Sequence, residues 1–191
     1  IISFNANKII TTGCGGMLLT NNINYFKMAK YFSAQAKEED VFFVHNNVGF
    51  NYRMTNISAA LGIEQIKNIN KILRQKRIIK DLYSKYFSKI KGVKFFNGPT
   101  YSLNNNWMNL VQVKSLYTKS KSLKKIINLF EKKRIQLRPV WNLNHTQKPF
   151  KLFQTYKIKN AIKLFNNSLC LPSSTILKTK DIKRIVHLFD S

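Results

Sequence analysis

The sequence predicts an α/β chain in more than one part, with a long helical stretch between its ends. Three observations carry that expectation. In the second half, runs rich in β-branched and aromatic residues (VKFF, WMNLVQV, IQLRPVW) alternate with amphipathic helical patterns. From Thr55 to Phe87 a helical pattern continues with few breakers beyond Gly62. Its apolar stripe drifts: Ile57, Ala60 and Leu61 share one side, Ile66, Ile69 and Leu73 turn away, and Ile79 and Leu82 return. A helix buried against one surface keeps one stripe. The drift therefore predicts either a helix passing from one domain into another or two helices broken near Asn68 to Asn70.

The elements follow in order. Residues 9–20 read as two short strands around Gly13-Cys14-Gly15-Gly16, a tight turn that needs positive φ. Ile23, Phe26, Ala29 and Phe32 recur at helical spacing behind an asparagine cap. Residues 37–52 read as a loop carrying Glu38, Glu39 and Asp40 and ending in Gly49-Phe50-Asn51-Tyr52. After the long helical stretch, VKFF and WMNLVQV are strands separated by Gly98-Pro99 and an asparagine-rich loop. A helix is expected over 121–134, with Leu123, Ile126, Ile127 and Phe130 on one face and basic residues at its end. IQLRPVW is a strand stopped by Pro139, NAIKLFNNSLCL a helix, and Thr179 the cap of a last helix with Ile182, Ile185, Val186 and Phe189 inward.

Composition bounds the function. The 191 residues are 44% hydrophobic, enough for one ordinary core or two small ones. No apolar run approaches the roughly 18 residues of a bilayer span, so no membrane partner is expected. Two cysteines, Cys14 and Cys170, make no disulfide framework or metal motif. They read as reduced thiols of a cytoplasmic protein. His45, His145 and His187 lack metal-ligand spacing, so no metal is expected. The formal charge is +25, but only six of the 33 basic residues are arginine, the residue suited to reading base edges. The lysines are also dispersed. The charge reads as lysine-rich surface rather than a nucleic-acid module, which stays the alternative from a different class.

One lysine needs a separate account. Lys8 lies in SFNANKIITTGCGGM, among small polar residues at a loop-to-strand junction, where no helical pattern explains it. It is either a solvated surface amine or an amine held so that it can attack a carbonyl and form a Schiff base. Small flanking side chains admit a planar ligand, and Ser3 with nearby backbone N–H groups could hold an anion.

Together with GFNYRMTNISAALGIEQ, RPVW and CLPSS, in this order, that motif resembles the DegT/DnrJ/EryC1/StrS family of pyridoxal-phosphate-dependent nucleotide-sugar aminotransferases. Within the family the resemblance is nearest to LegC-type enzymes acting on UDP-linked 4-keto amino sugars. It implies the C-terminal part of an aspartate-aminotransferase-like (fold type I) enzyme. Residues 1–55 would end the large domain, 56–90 form a connecting helix, and 91–191 form a small α/β domain. It further implies that Lys8 bonds to pyridoxal 5'-phosphate and that Ser3 contacts the cofactor phosphate. Asn51 would reach the phosphate in a neighbouring subunit, hence a homodimer. Arg53 would meet substrate phosphates or the carboxylate of L-glutamate, unless it is a surface charge at a helix start. His45, Arg138, Trp141 and His145 fall at substrate-facing positions, although His45 could simply bond its loop and Trp141 belong to a core. Cys14 replaces a common family glycine and should hinder a tight backbone approach.

In relatives the Schiff-base lysine lies near the middle of the chain; here it is residue 8. The carboxylate that keeps the pyridine nitrogen protonated is expected upstream of it, and no acid precedes Glu38. The expectation is therefore half of an aminotransferase. A pyridoxamine-dependent sugar dehydratase, which lacks the lysine, and a non-catalytic fragment are the alternatives.

Overall fold

The computed structural model describes residues 1–39, 41–114 and 122–190. The chain divides into two compact units, Ile1–Lys71 and Ile72–Ser191.

Unit 1 is built from short pieces. Strands β1 (Ile2–Ser3) and β2 (Gly16–Met17) pair antiparallel, Ile2 opposite Met17 and Ser3 opposite Gly16. Residues 8–10 form bends and 11–12 no regular element, so the first expected strand is absent. The reason lies at Phe4. This buried residue donates its N–H to Gly15 and receives the Thr12 N–H and the Thr11 hydroxyl on its carbonyl. Those bonds close residues 4–15 into a loop rather than a ladder. Gly13 (φ 82°) and Gly15 (φ 94°) take the left-handed positions the turn requires.

Helix α1 (Ile23–Ser33) is capped by the Asn22 side chain, which accepts from Asn24 N–H at 2.9 Å and Tyr25 N–H at 3.2 Å. The expected loop 37–52 contains two short strands instead, β3 (Lys37–Glu39) and β4 (Val44–His45), paired antiparallel; Asp40 lies outside the described residues. Helix α2 (Asn56–Lys67) starts on the Thr55 cap and ends at Asn68, beyond which α3 (Ile69–Phe87) begins. Of the two readings of the drifting stripe, the structure gives two helices. In α2 no residue is buried, whereas α3 buries Lys76, Ile79, Tyr83 and Phe87 on one face.

Unit 2 is built on an antiparallel sheet. Strands β5 (Val93–Phe95), β6 (Asn109–Val113), β7 (Arg138–Pro139) and β8 (Ser168–Leu171) lie in the order β5-β6-β8-β7. Alternation in β6 sends Val111 and Val113 into the core. Helix α4 (Leu123–Lys132), capped by Ser122, adds Ile126 and Phe130; residue 121 of the expected helix lies outside the described residues. Helix α6 (Thr179–Asp190) adds Ile182, Ile185, Val186 and Phe189. Aromatic rings tie these layers together, with centroids 5.3 Å apart for Phe87 and Phe189 and 4.8 Å for Phe130 and Phe189.

Three expectations are corrected here. NAIKLFNNSLCL is not one helix: α5 (Lys159–Asn167) stops at Ser168, and SLCL is a fully buried inner strand. Both faces of that strand are covered, so its sequence carries no polar alternation to separate it from a helix. The strand in IQLRPVW is shorter than expected: β7 covers Arg138–Pro139 alone and ends at Pro139 as expected, on an edge strand, where a proline is tolerated. Thr179 is the first residue of α6 rather than its cap. The start is closed by Asp181, whose carboxylate accepts the Lys178 N–H at 2.9 Å.

Candidate functional site

Lys8 stands in a turn whose N–H donates to the Asn5 carbonyl at 3.0 Å, and its side chain is partly buried. The Asn5 side chain accepts the Ala6 N–H, and Ser3 Oγ lies 3.4 Å from the Asn5 N–H. The loop is fastened to α2 at two points. Thr11 N–H donates to Gln65 Oε1 at 3.2 Å. Thr12 packs so closely on Gly62 that a Cβ there would fall 2.9 Å from Thr12 Cγ2. Gly62 reads from sequence as a weak point in a helix; it provides room for the loop that carries Lys8.

Cys14 does not occupy a left-handed position; the turn places those at its neighbours Gly13 and Gly15. A side chain is therefore accommodated at the place of the family glycine. Gly16, by contrast, must stay small: a Cβ would lie 2.7 Å from the Ile2 carbonyl oxygen.

Asn51 and Arg53 follow the β3–β4 segment. That segment is held by His45, whose Nδ1 lies 2.9 Å from the Gln35 carbonyl, so His45 bonds its own loop. Phe50 N–H donates to Phe32 and Tyr52 N–H to Ser33, which registers Asn51 against the end of α1. Asn51 and Arg53 line two clefts. One, of about 720 Å³, runs along the Cys14–Leu18 turn and Met54. The other, of about 580 Å³, is bordered by Lys27, Lys30, Lys37 and Arg53, with no carboxylate among its described walls. Four cations around one cleft favour an anion. Lys27 and Lys30 were not among the sequence candidates; their signal is the three-residue spacing on α1, visible only once Arg53 borders the same cleft. Ser3 and Lys8 line neither cleft.

The remaining candidates lie in unit 2. Arg138 is exposed on β7 opposite Cys170, whose thiol is pushed up by burial and drawn partly back by Arg138. Trp141 is 62% exposed, its ring 5.8 Å from that of Trp107. His145 sits, partly buried, in a one-turn 3-10 helix, Asn144–Thr146. Trp141 borders a cavity; Arg138 and His145 do not line it.

By their chemistry the candidate donors suit a phosphorylated aldehyde at two of its ends: the Lys8 amine suits the carbonyl, and the Ser3 hydroxyl and the Asn51 amide, which lies apart from both in the clefts, suit phosphate oxygens. The ring-nitrogen end has no candidate: every described acid of unit 1 is engaged locally. Glu38 accepts from Tyr31, Glu39 from the Val41 and Phe42 N–H groups, and Glu64 from Asn68. Among the described residues, no cluster of His, Cys, Asp and Glu could hold a metal, and no helix is long and apolar enough to cross a membrane.

The fold is that of the fold type I pyridoxal-phosphate aminotransferases. PseC of Helicobacter pylori, described as an aminotransferase involved in the biosynthesis of pseudoaminic acid, superposes with a TM-score of 0.85 at 22% identity, over 97% of this chain and 50% of that one. DesI, solved in the presence of its TDP-sugar product, gives 0.85 at 18% identity, over 98% and 47%. The DegT/DnrJ/EryC1/StrS aminotransferase family matches residues 1–190, and the chain belongs to that family. EpsN of Bacillus subtilis, named for pyridoxal phosphate-dependent aminotransferase activity, is 31% identical over 99% of this chain and 50% of its own length. GDP-perosamine synthase of Escherichia coli O157:H7 is 33% identical over 75% of this chain and 38% of its own. The chain spans about half the length of the curated relatives that it matches along its whole course.

Proposed function

We propose that this chain supplies the lysine-bearing half of a transaminase that moves an amino group from L-glutamate to a UDP-linked 4-keto sugar. The product is a 4-amino sugar nucleotide for surface glycan synthesis, in the LegC manner, made in the cytoplasm by a homodimer. The observation that carries the reading is the Lys8 turn, fastened to α2 by Gln65 and admitted by Gly62, in a member of an aminotransferase family. Relatives named for GDP-perosamine synthesis and for UDP-altrosamine transamination support a nucleotide-sugar substrate.

Lys8 Nζ would hold pyridoxal phosphate, Ser3 Oγ would donate to its phosphate, and the Asn51 amide would donate to that of the neighbouring subunit. When bound, the cofactor supplies the carbonyl that takes up the amino group and the conjugated ring that accepts electrons from the breaking C–H bond. Lys8 Nζ would then act as base and acid, taking the α-proton of the amino donor and delivering it to the carbon that had carried the carbonyl oxygen. Lys27, Lys30 and Arg53 orient an anionic reactant, the glutamate carboxylate or the sugar diphosphate. The domains would divide as 1–55, 56–90 and 91–191, and the carboxylate facing the ring nitrogen comes from the half that the relatives carry in addition.

Amino transfer from 15N-glutamate to a UDP-4-keto sugar, followed by mass spectrometry, tests this. The 191 residues alone should be inactive, and a polypeptide that adds the other half should label the sugar. Lys8→Ala should abolish the labelling; transfer at the unsubstituted rate would overturn the reading.

A further inference from the structure

The ladder between β5 and β6 ends just past β5, where the Phe96 N–H donates to the Leu110 carbonyl at 3.0 Å. The loop that follows is next closed by the Ser102 N–H on the Pro99 carbonyl. Between those two bonds lie Asn97 and Gly98, both exposed and the one Asn-Gly pair in the sequence. Among the described residues, neither the Asn97 carboxamide nor the Gly98 N–H has a hydrogen-bond partner.

The other asparagines of the loop are tied down. Asn104 Oδ1 accepts the Asn106 N–H at 2.9 Å, Asn105 Oδ1 accepts the Trp107 N–H at 3.0 Å, and Asn106 Nδ2 donates to the Asn104 carbonyl at 3.2 Å. Such bonds hold a carboxamide against backbone two residues away and keep it from the nitrogen next to it. Asn97 is placed the opposite way: its carboxamide is unrestrained, and the following residue has no side chain to shield its nitrogen.

The surroundings are cationic. A cleft of about 380 Å³ is lined by Asn97 and Gly98 together with Arg77, Lys80 and Asp81. Arg77 and Lys80 stand three residues apart on one face of α3. Lys80 Nζ is 3.1 Å from Asp81 Oδ1, which leaves two cations against one carboxylate among the described walls. Fixed positive charge favours both a deprotonated amide nitrogen and the oxyanion that forms when it attacks a carbonyl.

We propose that Asn97 is a self-modification site, at which the chain converts its own carboxamide to a carboxylate with water as the sole co-reactant. Gly98 N attacks Asn97 Cγ. The new N–C bond forms, the Cγ–Nδ2 bond breaks, and Nδ2 leaves as ammonia with the proton that Gly98 gave up. The cyclic imide then takes up one water and opens on either side, to aspartate or to isoaspartate. No electrons change hands. The product sets a carboxylate in the cleft of Arg77 and Lys80, so that two charges of each sign face one another. Isoaspartate also adds a backbone carbon where the chain leaves β5.

Incubation of the purified protein at mildly alkaline pH, followed by peptide mapping with fragmentation, tests this. Residue 97 should gain about 1 Da and divide into aspartyl and isoaspartyl forms. In the folded protein Asn104, Asn105 and Asn106 should convert at least about tenfold more slowly. Asn97→Gln should abolish the change at this position. Gly98→Ala places a Cβ 3.3 Å from Asn104 Nδ2, the movable end of an exposed side chain, and should slow conversion at least about tenfold. Arg77→Gln, at an exposed position, should slow the folded protein roughly two- to fivefold, the range of an exposed charge interaction, and leave the urea-unfolded chain unchanged. An Asn97 that stays intact, or converts no faster than Asn104 to Asn106 in the folded protein, would overturn the proposal, as would a folded-state rate indifferent to Arg77→Gln. Lys8→Ala should leave the reaction unchanged, so this proposal and the transaminase reading fail separately.

Discussion

Lys76 is the lysine whose environment departs furthest from what its helix pattern promises. It is 7% exposed, and its amine donates to the Trp107 and Ser173 carbonyls, tying the start of β6 to the turn after β8. Lys76→Met leaves both carbonyls without this donor and should cost about 1–3 kcal/mol in urea unfolding at neutral pH. Burial also lowers the Lys76 pKa from its ordinary 10.5. Between the lowered value and 10.5 the unfolded chain then holds more protons than the folded one, and stability rises with pH. The advantage of the unsubstituted protein over Lys76→Met should therefore grow as pH rises towards about 10.5. A difference that shrinks over that range would contradict the assignment. At the site, Gly62→Ala should push Thr12 away and displace the Lys8 loop, lowering cofactor incorporation while helix content by circular dichroism stays unchanged. At this scale the sequence showed Lys8, because it broke the surrounding pattern. It concealed Lys76 and Gly62, because a lysine and a glycine in a helix look the same whether they face water or a tightly packed neighbour.

Elements differ in how far local pattern dictates them. α4 and α6 were legible because one apolar face meets one core, and their buried residues are the ones that helical spacing selects. Phe130, fully buried against Phe189, should cost about 3–5 kcal/mol on replacement by alanine. β8 was concealed because all four residues are buried, and the strand between Gly92 and the sheet was found because turn residues bracket it. The segment 34–52 shows a third case, in which backbone contact rather than pattern sets the form. A Cβ on Gly49 would collide with the Ala36 nitrogen and the Gln35 carbonyl carbon. Gly49→Ala must part these strands of chain, at a cost of at least about 2 kcal/mol. Hydrogen exchange should quicken at Gln35, Phe50 and Tyr52, whose N–H groups bond across that contact. Unchanged exchange there would refute the close approach.

Across the molecule, the two units are unequal. Among the described residues, the seventeen of the buried cluster, from Ile79 to Phe189, all belong to unit 2. Among the described residues of unit 1, the buried apolar side chains are Phe4 and Ala36 alone, while Phe26, Met28, Val41, Phe42 and Ile57 stand more than half exposed. Burial of apolar area is the main source of stability. Limited proteolysis of the 191 residues should therefore remove unit 1 first and leave a resistant fragment close to 72–191; the reverse order would contradict this division. The same imbalance explains what composition could reveal. A 44% hydrophobic chain announces a core but not that nearly all of it lies on one side of residue 71. The family resemblance was legible from motifs that fix local backbone, such as GCGG and GFNYR, whereas the cationic cleft of Lys27, Lys30 and Arg53 needed the fold to assemble it. The central claim is the covalent role of Lys8, and the most direct measurement is borohydride reduction of the protein with pyridoxal phosphate, followed by peptide mapping. A single pyridoxyl group on the peptide holding Lys8, lost in Lys8→Ala, is the result expected; a label spread over the surface lysines, or fixed equally well after Lys8→Ala, would contradict it.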